Sequence, residues 1–384
     1  MTPPKTLTLG LVGTGLVIML AGCSLFSPKS TPTPTPSPTV RSTEGTSISI
    51  ATATPTAAPH LVSSITLVSP IGEPKDWTPA GLTWKGVQAE ATRIGAKASL
   101  DEPLSAGELA TDLDTAAQAD GAVVVTVGSA ADPAVQAAAT AHPATQFLEM
   151  DVTVPDSSPP NVHGLAFDEA EAGYLAGYVA AAFAGSGAGT GSGSIGMVGD
   201  TKTDVRSANY EAGFRSGAAE ASPDVTVTVA YATNPSSPDK GRTAASGLVQ
   251  DGSTVIMAMP SLSGIGALRE ACAGKAQVVA VDTDAWQTVP DIGSCLIVSV
   301  MKRYDAAVAA AIGTANSGGT IPRVTVNDVA NGGISYSDFH TTVPAGFPAR
   351  LAAVLATLKA GPPRPTSAPP TATPSTPASS SPQS

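Results

Sequence analysis

No cluster of lysines or arginines occurs along the chain. Its 20 basic residues are outnumbered by 31 acidic ones, and the formal net charge is −11. A protein that grips a phosphate backbone concentrates positive charge, so this balance argues against nucleic acid as a partner. Aromatic residues are scarce, at 4%. The four histidines, His60, His142, His163 and His340, show no H-E-x-x-H or comparable metal-ligand spacing. Neither a G-x-S-x-G nucleophile elbow nor a phosphate-cradling G-x-x-x-x-G-K-[ST] loop is present. Gly191-Ser192-Gly193-Ser194-Ile195-Gly196 spells G-x-G-x-x-G, but it precedes a strand pattern instead of following one, so it lacks the helix N-terminus that a pyrophosphate needs. The paired acids Asp282 and Asp284 lack a partner that would raise the pKa of either. An enzyme is not expected, and no metal or cofactor is implied.

Long apolar runs are also missing after the first residues. The run from Leu7 to Leu20, behind the single basic residue Lys5, is too short to span a bilayer comfortably. It ends in Leu20-Ala21-Gly22-Cys23, small residues before a thiol, which is similar to the lipobox of bacterial lipoprotein signal peptides. The expectation is a signal peptide over 1–22 and lipidation of Cys23. The protein would then be anchored to the extracellular or periplasmic face of the cell membrane, and durable anchoring takes more than one acyl chain. From Ser24 to about Val62 the chain is rich in Thr, Pro and Ser. That composition buries too little apolar surface to offset ordering entropy, so 23–62 is read as a lipidated, solvated tether and 361–384 as a similar tail. The intervening 63–360 is long enough for two halves, each with its own core. Beyond Cys23 only Cys272 and Cys295 remain. In an oxidising compartment they can pair, and two buried, reduced thiols are the alternative.

What the chain does have is alternation. Short β-branched runs recur at Ile65–Val68, Ala122–Val127, Phe147–Asp151, Ile195–Val198, Val225–Val229, Thr254–Met257 and Val278–Val281. Between them lie Ala-rich stretches of helical length, among them Gly81–Arg93, Glu169–Phe183, Val205–Ala219 and Thr243–Gln250. Mostly apolar strands separated by helices predict an α/β protein with doubly wound, mostly parallel sheets covered on both faces. Such sheets bind ligands at the carboxyl ends of their strands, where Asp151 and Asp282 stand here.

Phe167-Asp168-Glu169-Ala170-Glu171-Ala172-Gly173-Tyr174-Leu175-Ala176-Gly177 resembles the signature of the basic membrane protein family. These are purine-nucleoside-binding lipoproteins of ABC transporters. The likeness continues, in order, through Tyr210–Phe214, Val281–Asp284, Ser299–Val308 and Asn331–Ile334. The resemblance implies a two-lobed periplasmic-binding-protein fold of type I, a ligand cleft between the lobes, an ABC permease as partner and a monomeric state. It also implies three crossings, with 63–166 and 285–318 in one lobe and 167–284 and 319–360 in the other.

A ribose offers two adjacent hydroxyls that one carboxylate can accept, and a purine offers flat faces for stacking. Asp282 resembles the family's ribose-binding acid, with Asp284 close behind. Lys302 resembles its cleft lysine and Asp151 the acid after the fourth strand, while Gly264 and Gly266 fall in a turn that brings backbone N–H groups to the cleft. Helix capping, a surface ion pair or a simple turn is the structural alternative for each. The N-terminal motif departs from the family pattern. Asp76 and Gly86 keep the spacing, but Pro79 and Ala80 stand where Phe and Asn are expected, and Pro235 occupies the second aromatic position. Trp77 and Trp286 are candidate replacement stacking residues. The functional expectation is a solute-binding lipoprotein of an ABC importer that captures a nucleoside-like molecule. A surface lipoprotein acting as a sensor or docking module, with a degenerate pocket, is the alternative.

Overall fold

The computed structural model describes residues 61–69, 78–184 and 193–361. The signal-peptide and lipidation readings, with Cys23 and the tether up to residue 60, lie outside the described residues, as do Asp76, Trp77 and the tail beyond Gly361. Val62, read as tether, is buried in the core, so the folded region starts earlier than expected.

Two six-stranded sheets share one plan. The first has the order β11-β5-β4-β3-β1-β2, built from Ser64–Val68 (β1), Lys97–Asp101 (β2), Ala122–Val127 (β3), Gln146–Met150 (β4), Val162–Phe167 (β5) and Val324–Asn327 (β11). Its pairings are all parallel. The second has the order β12-β10-β9-β8-β6-β7, built from Ser194–Gly199 (β6), Thr226–Tyr231 (β7), Ser253–Ala258 (β8), Gln277–Asp282 (β9), Leu296–Lys302 (β10) and Ile334–Tyr336 (β12). Only β12 runs antiparallel to its neighbour. β4 and β9 therefore hold the same place in the two sheets, and Asp151 and Asp282 occur at their carboxyl ends.

The chain crosses between halves after Phe167, after Lys302 and after Asn327. The expected crossings after 284 and 318 are corrected. β10 pairs with β9 in the second sheet, and β11 pairs with β5 in the first. A four-residue helix, Ala285–Thr288 (α8), with the turn Pro290–Ile292, is enough to return the chain to the same sheet, so no covering helix marks this connection.

Helix starts follow proline. Pro79 opens α1 (Pro79–Ile94) with Thr78 as its cap, accepting from the Gly81 N–H at 3.1 Å. Pro238 opens α6 (Pro238–Gln250). A proline at the first helical position loses no hydrogen bond and is preset for the helix, which is why both helices begin before the expected starts. The signature blocks prove to be a helix–helix interlock. α4 (Glu169–Ala184) and α5 (Val205–Ala221) meet through glycines. A Cβ on Gly177 would lie 2.0 Å from the Phe214 carbonyl oxygen, and one on Gly213 or Gly217 would lie 1.9 Å from that of Ala170 or Tyr174. No side chain fits there.

Cys272 and Cys295 are disulfide-bonded, with Cα atoms 5.7 Å apart, tying α7 (Leu262–Ala273) to the segment before β10. Cross-linking 23 residues apart removes loop entropy from the unfolded chain. Replacing both cysteines by serine should lower the unfolding free energy by about 3 kcal/mol, measured by denaturant titration.

Glu149 on β4 is 1% exposed, and both its carboxyl oxygens lack hydrogen-bond donors. Burial, and next the Asp132 carboxylate at the start of the helix Asp132–Ala141 (α3), push its pKa up to about 8 from 4.5. The unfolded chain ionises first, so this group costs stability progressively as pH rises from about 4.5 to about 8. Glu149→Gln should flatten that slope and raise the melting temperature at pH 8–9, read from thermal scans across pH.

Candidate functional site

Charge converges where the two halves meet. Lys302, the last residue of β10, has a side chain with no solvent exposure. Its ammonium donates to both carboxylate oxygens of Asp151, at 2.8 and 3.1 Å, and lies 3.5 Å from Asp282 Oδ2 and 3.6 Å from Glu169 Oε1. One carboxylate comes from the first half and two from the second. Burying an ammonium is tolerable only with such compensation. Burial alone would push the Lys302 pKa down, but Asp282 and Asp151 hold it above its ordinary value. Burial would likewise raise the Asp282 pKa, but Lys302 and Arg206 outweigh it and hold the carboxyl below the usual carboxylate range.

The backbone aims both aspartates. Asp151 and Asp282 adopt φ values of 61° and 70°, left-handed conformations that side chains other than Asn and Asp rarely visit. Each turns out of its strand at the carboxyl end, so the carboxylate faces the junction instead of a sheet face.

Helix N-termini supply the rest. Asp168 caps α4 by accepting from the Glu171 N–H at 2.9 Å, which sets Glu169 in the first turn. Asp204 caps α5 by accepting from the Ser207 N–H at 2.8 Å, which sets Arg206 one residue into that helix. The Arg206 guanidinium donates to Asp282 Oδ2 at 2.8 Å and lies 3.5 Å from Glu169 and 3.9 Å from Asp151. The buried Tyr210 hydroxyl, one turn on, donates to Asp282 Oδ1. Tyr304, opening Tyr304–Asn316 (α9), donates to Asp151 Oδ2 at 3.1 Å. The Phe167 ring packs against Tyr304 with centroids 4.9 Å apart and lies 5.5 Å from the Lys302 ammonium. Burial first, and then the adjacent carboxylate, push both tyrosine pKa values well up, so these phenols remain donors.

A cavity of about 330 Å³, with none of these charged side chains in its lining, has Thr78 and Pro79 of the first half on one side. Met259, Pro260, Val281 and Thr283 of the second half line the other side. Its walls are mainly apolar.

The junction thus brings Asp151, Asp282 and Lys302 together, whereas Asp284, Gly264, Trp286 and Pro235 are engaged in other contacts. Asp284 caps α8, accepting from the Trp286 N–H at 3.1 Å and lying 3.4 Å from Ser299 Oγ. The Gly264 N–H is taken by Ser261 Oγ at 3.1 Å, and a Cβ there would lie 1.7 Å from the Met259 carbonyl oxygen. Gly264 therefore serves a close backbone approach and offers no free N–H. Trp286 stacks on His340 with centroids 4.1 Å apart. The Pro235 carbonyl accepts from the Ser263 N–H at 2.9 Å. His163 sits at the opposite, amino end of the first sheet, packed between Gln146 Oε1 at 2.8 Å and the Pro322 carbonyl at 3.1 Å, and burial lowers its pKa. Sequence reasoning gave no site role to Glu169, Tyr210 and Tyr304, although they lie within the signature blocks. Arg206 lies outside those blocks altogether. Among the described residues, no group of His, Cys, Asp or Glu could hold a metal ion.

Residues 81–336, well over half of the chain, match the family of PnrA-like ABC-transporter substrate-binding proteins, Bmp. The chain belongs to that family. This is a family of binding proteins, not of enzymes. A protein of Listeria monocytogenes named CD4+ T-cell-stimulating antigen is 26% identical over 263 residues, 64% of this chain and 71% of the relative. The ABC transporter nucleoside-binding protein BmpA of Lactococcus lactis is 29% identical over 213 residues, 52% of this chain and 58% of the relative. Among solved structures, a solute-binding protein of an ABC transporter system from Conexibacter woesei superposes with a TM-score of 0.64 at 22% identity, covering 79% of this chain and 98% of that one. One from Aeropyrum pernix superposes with a TM-score of 0.57 at 23% identity, covering 72% of this chain and 76% of that one. The two mostly parallel six-stranded sheets are the fold of these ABC solute-binding proteins.

Lys302→Met should destabilise the protein by about 3–5 kcal/mol in denaturant titrations at neutral pH, because three carboxylates would lose the ammonium they surround.

Proposed function

We propose that this family member is the solute receptor of an ABC importer and captures a nucleoside or similar small polar ligand between its halves. The observation that carries the reading is Asp282, a carboxylate buried at the carboxyl end of β9 and held ionised by Lys302 and Arg206, whose chain neighbours Val281 and Thr283 line a cavity that both halves wall. A carboxylate in that state is suited to accept both hydroxyls of a ribose diol. The Lactococcus relative, named as nucleoside-binding, supports the same ligand class. Pro79 on the cavity wall offers a flat apolar contact for a base, in place of an aromatic face. The permease partner, the lipid anchor at Cys23 and residence on the outer face of the cell membrane are parts of the same proposal.

The test is thermal unfolding of the full chain against inosine, guanosine and adenosine, with sugars and amino acids as comparison. A ligand at a hundred times its Kd stabilises the folded state by ~2.7 kcal/mol, a readily measured shift. Asp282→Asn should weaken the best nucleoside by ~1–3 kcal/mol in titration calorimetry below the melting transition. Unchanged affinity would remove Asp282 from the site.

A second reading, a surface lipoprotein that senses or docks with its pocket degenerate, is favoured by one observation. Both oxygens of Asp282 are already engaged by Tyr210 and Arg206. A flat response to every small molecule would select it.

A further inference from the structure

The donors around Asp282 are not equally fixed. Tyr210 is fully buried within α5, and Lys302 has no exposed side-chain surface and is tied to Asp151 by two hydrogen bonds. Neither can leave without unpacking the junction. Arg206 is different. It sits in the first turn of α5, its side chain is 43% exposed, and it approaches the carboxylates from the solvent side. Its seat is also imperfect. One Nη–H bonds Asp282, but the buried Nε has no hydrogen-bond partner, although Glu169 Oε1 lies 3.5 Å away.

We infer that Arg206 is a built-in plug, whose guanidinium occupies the acceptor on Asp282 that an incoming solute needs, so that ligand binding is an exchange of Arg206 for ligand. The inference rests on the reading of this junction as the solute site. A guanidinium presents donors and no acceptor, as a hydroxyl pair does towards a carboxylate, so the two compete for the same oxygen. The Nε, ion-paired with Glu169 but without a hydrogen bond, lowers the cost of departure, because a side chain with all its donors hydrogen-bonded gives up more when it swings out. The exchange also defines a ligand class. With Arg206 displaced, Asp151, Glu169 and Asp282 face the lone Lys302, so the solute that replaces it must bring donors and no negative charge. A neutral polyhydroxyl compound or a cation fits, and an anion does not. Arg206 thereby sets a threshold, since only solutes that bond Asp282 better than its own arginine gain a place.

The test combines two measurements on the full chain. Inosine and guanosine affinities are measured by calorimetry for the wild type, Arg206→Gln and Arg206→Lys. Ligand-free melting temperatures are measured for Arg206→Gln, Asp282→Asn and the double variant. The expected result is at least tenfold tighter binding by Arg206→Gln, with Arg206→Lys in between, and binding by Arg206→Gln alone would be the strongest support. The melting shifts should be non-additive by about 2–4 °C, the mark of a pair in contact. Additive shifts would overturn the plug, since Arg206 would not be holding Asp282 in the free protein. Equal or weaker binding by Arg206→Gln, where the wild type binds, would overturn it while leaving the nucleoside reading intact. If no variant binds a nucleoside, that reading falls and the plug falls with it.

Discussion

The structure turns on one buried ammonium. Lys302 ends β10, and the next residue carries the chain into the other half, so its charge is lodged at the crossing. An isolated ammonium cannot remain charged there, and the compensating carboxylates come from both sheets, Asp151 from one and Asp282 from the other. Each half has an apolar face of its own, with Phe147 and Val135 among the first and Ile256 and Leu268 among the second. A third and larger apolar cluster runs through both halves, from Ile65 and Leu67 in one to Ile195 and Met197 in the other. Charge fixes the junction further, because parting Asp151 from Lys302 would leave a carboxylate and an ammonium uncompensated.

Much of this fold was legible in the residues. Val123, Val124 and Val125 are nearly wholly buried, as an unbroken apolar strand of a sheet covered on both faces must be. Of the five strands outside the expected runs, Lys97–Asp101, Val324–Asn327 and Ile334–Tyr336 are short and lie at sheet edges, where burial imposes little pattern, while Val162–Phe167 and Leu296–Lys302 lie inside the sheets. Two helices start earlier than the expected Gly81 and Thr243, each at a proline. Pro79 and Pro238 look like breakers, yet each occupies the one helical position where proline is at home. The glycines of the signature blocks show composition but not partner, and only the α4–α5 contact reveals that they exist to admit another helix's backbone.

The site was legible in part, and for a clear reason. Asp151, Asp282 and Lys302 announce themselves by standing at strand ends. Asp284, two residues from Asp282, carries the same chemistry but is spent on a helix cap. Sequence spacing cannot separate those fates, because they depend on whether φ turns left-handed, as it does at Asp282. Arg206 offered still less. It is an ordinary charged residue near a helix start, and its meaning comes from Asp282, 76 positions away.

The left-handed backbone at Asp151 and Asp282 narrows the alphabet these positions can use. Branched and bulky side chains are strained there, glycine has no functional group, and asparagine alone shares both the tolerance for that conformation and the reach of aspartate. Charge at the junction can therefore change by one amide at a time while the main chain keeps its course. For a lineage of receptors, that is a short route from one solute to another. The scaffold holds its shape, and the electrostatic character of the cleft is free to drift.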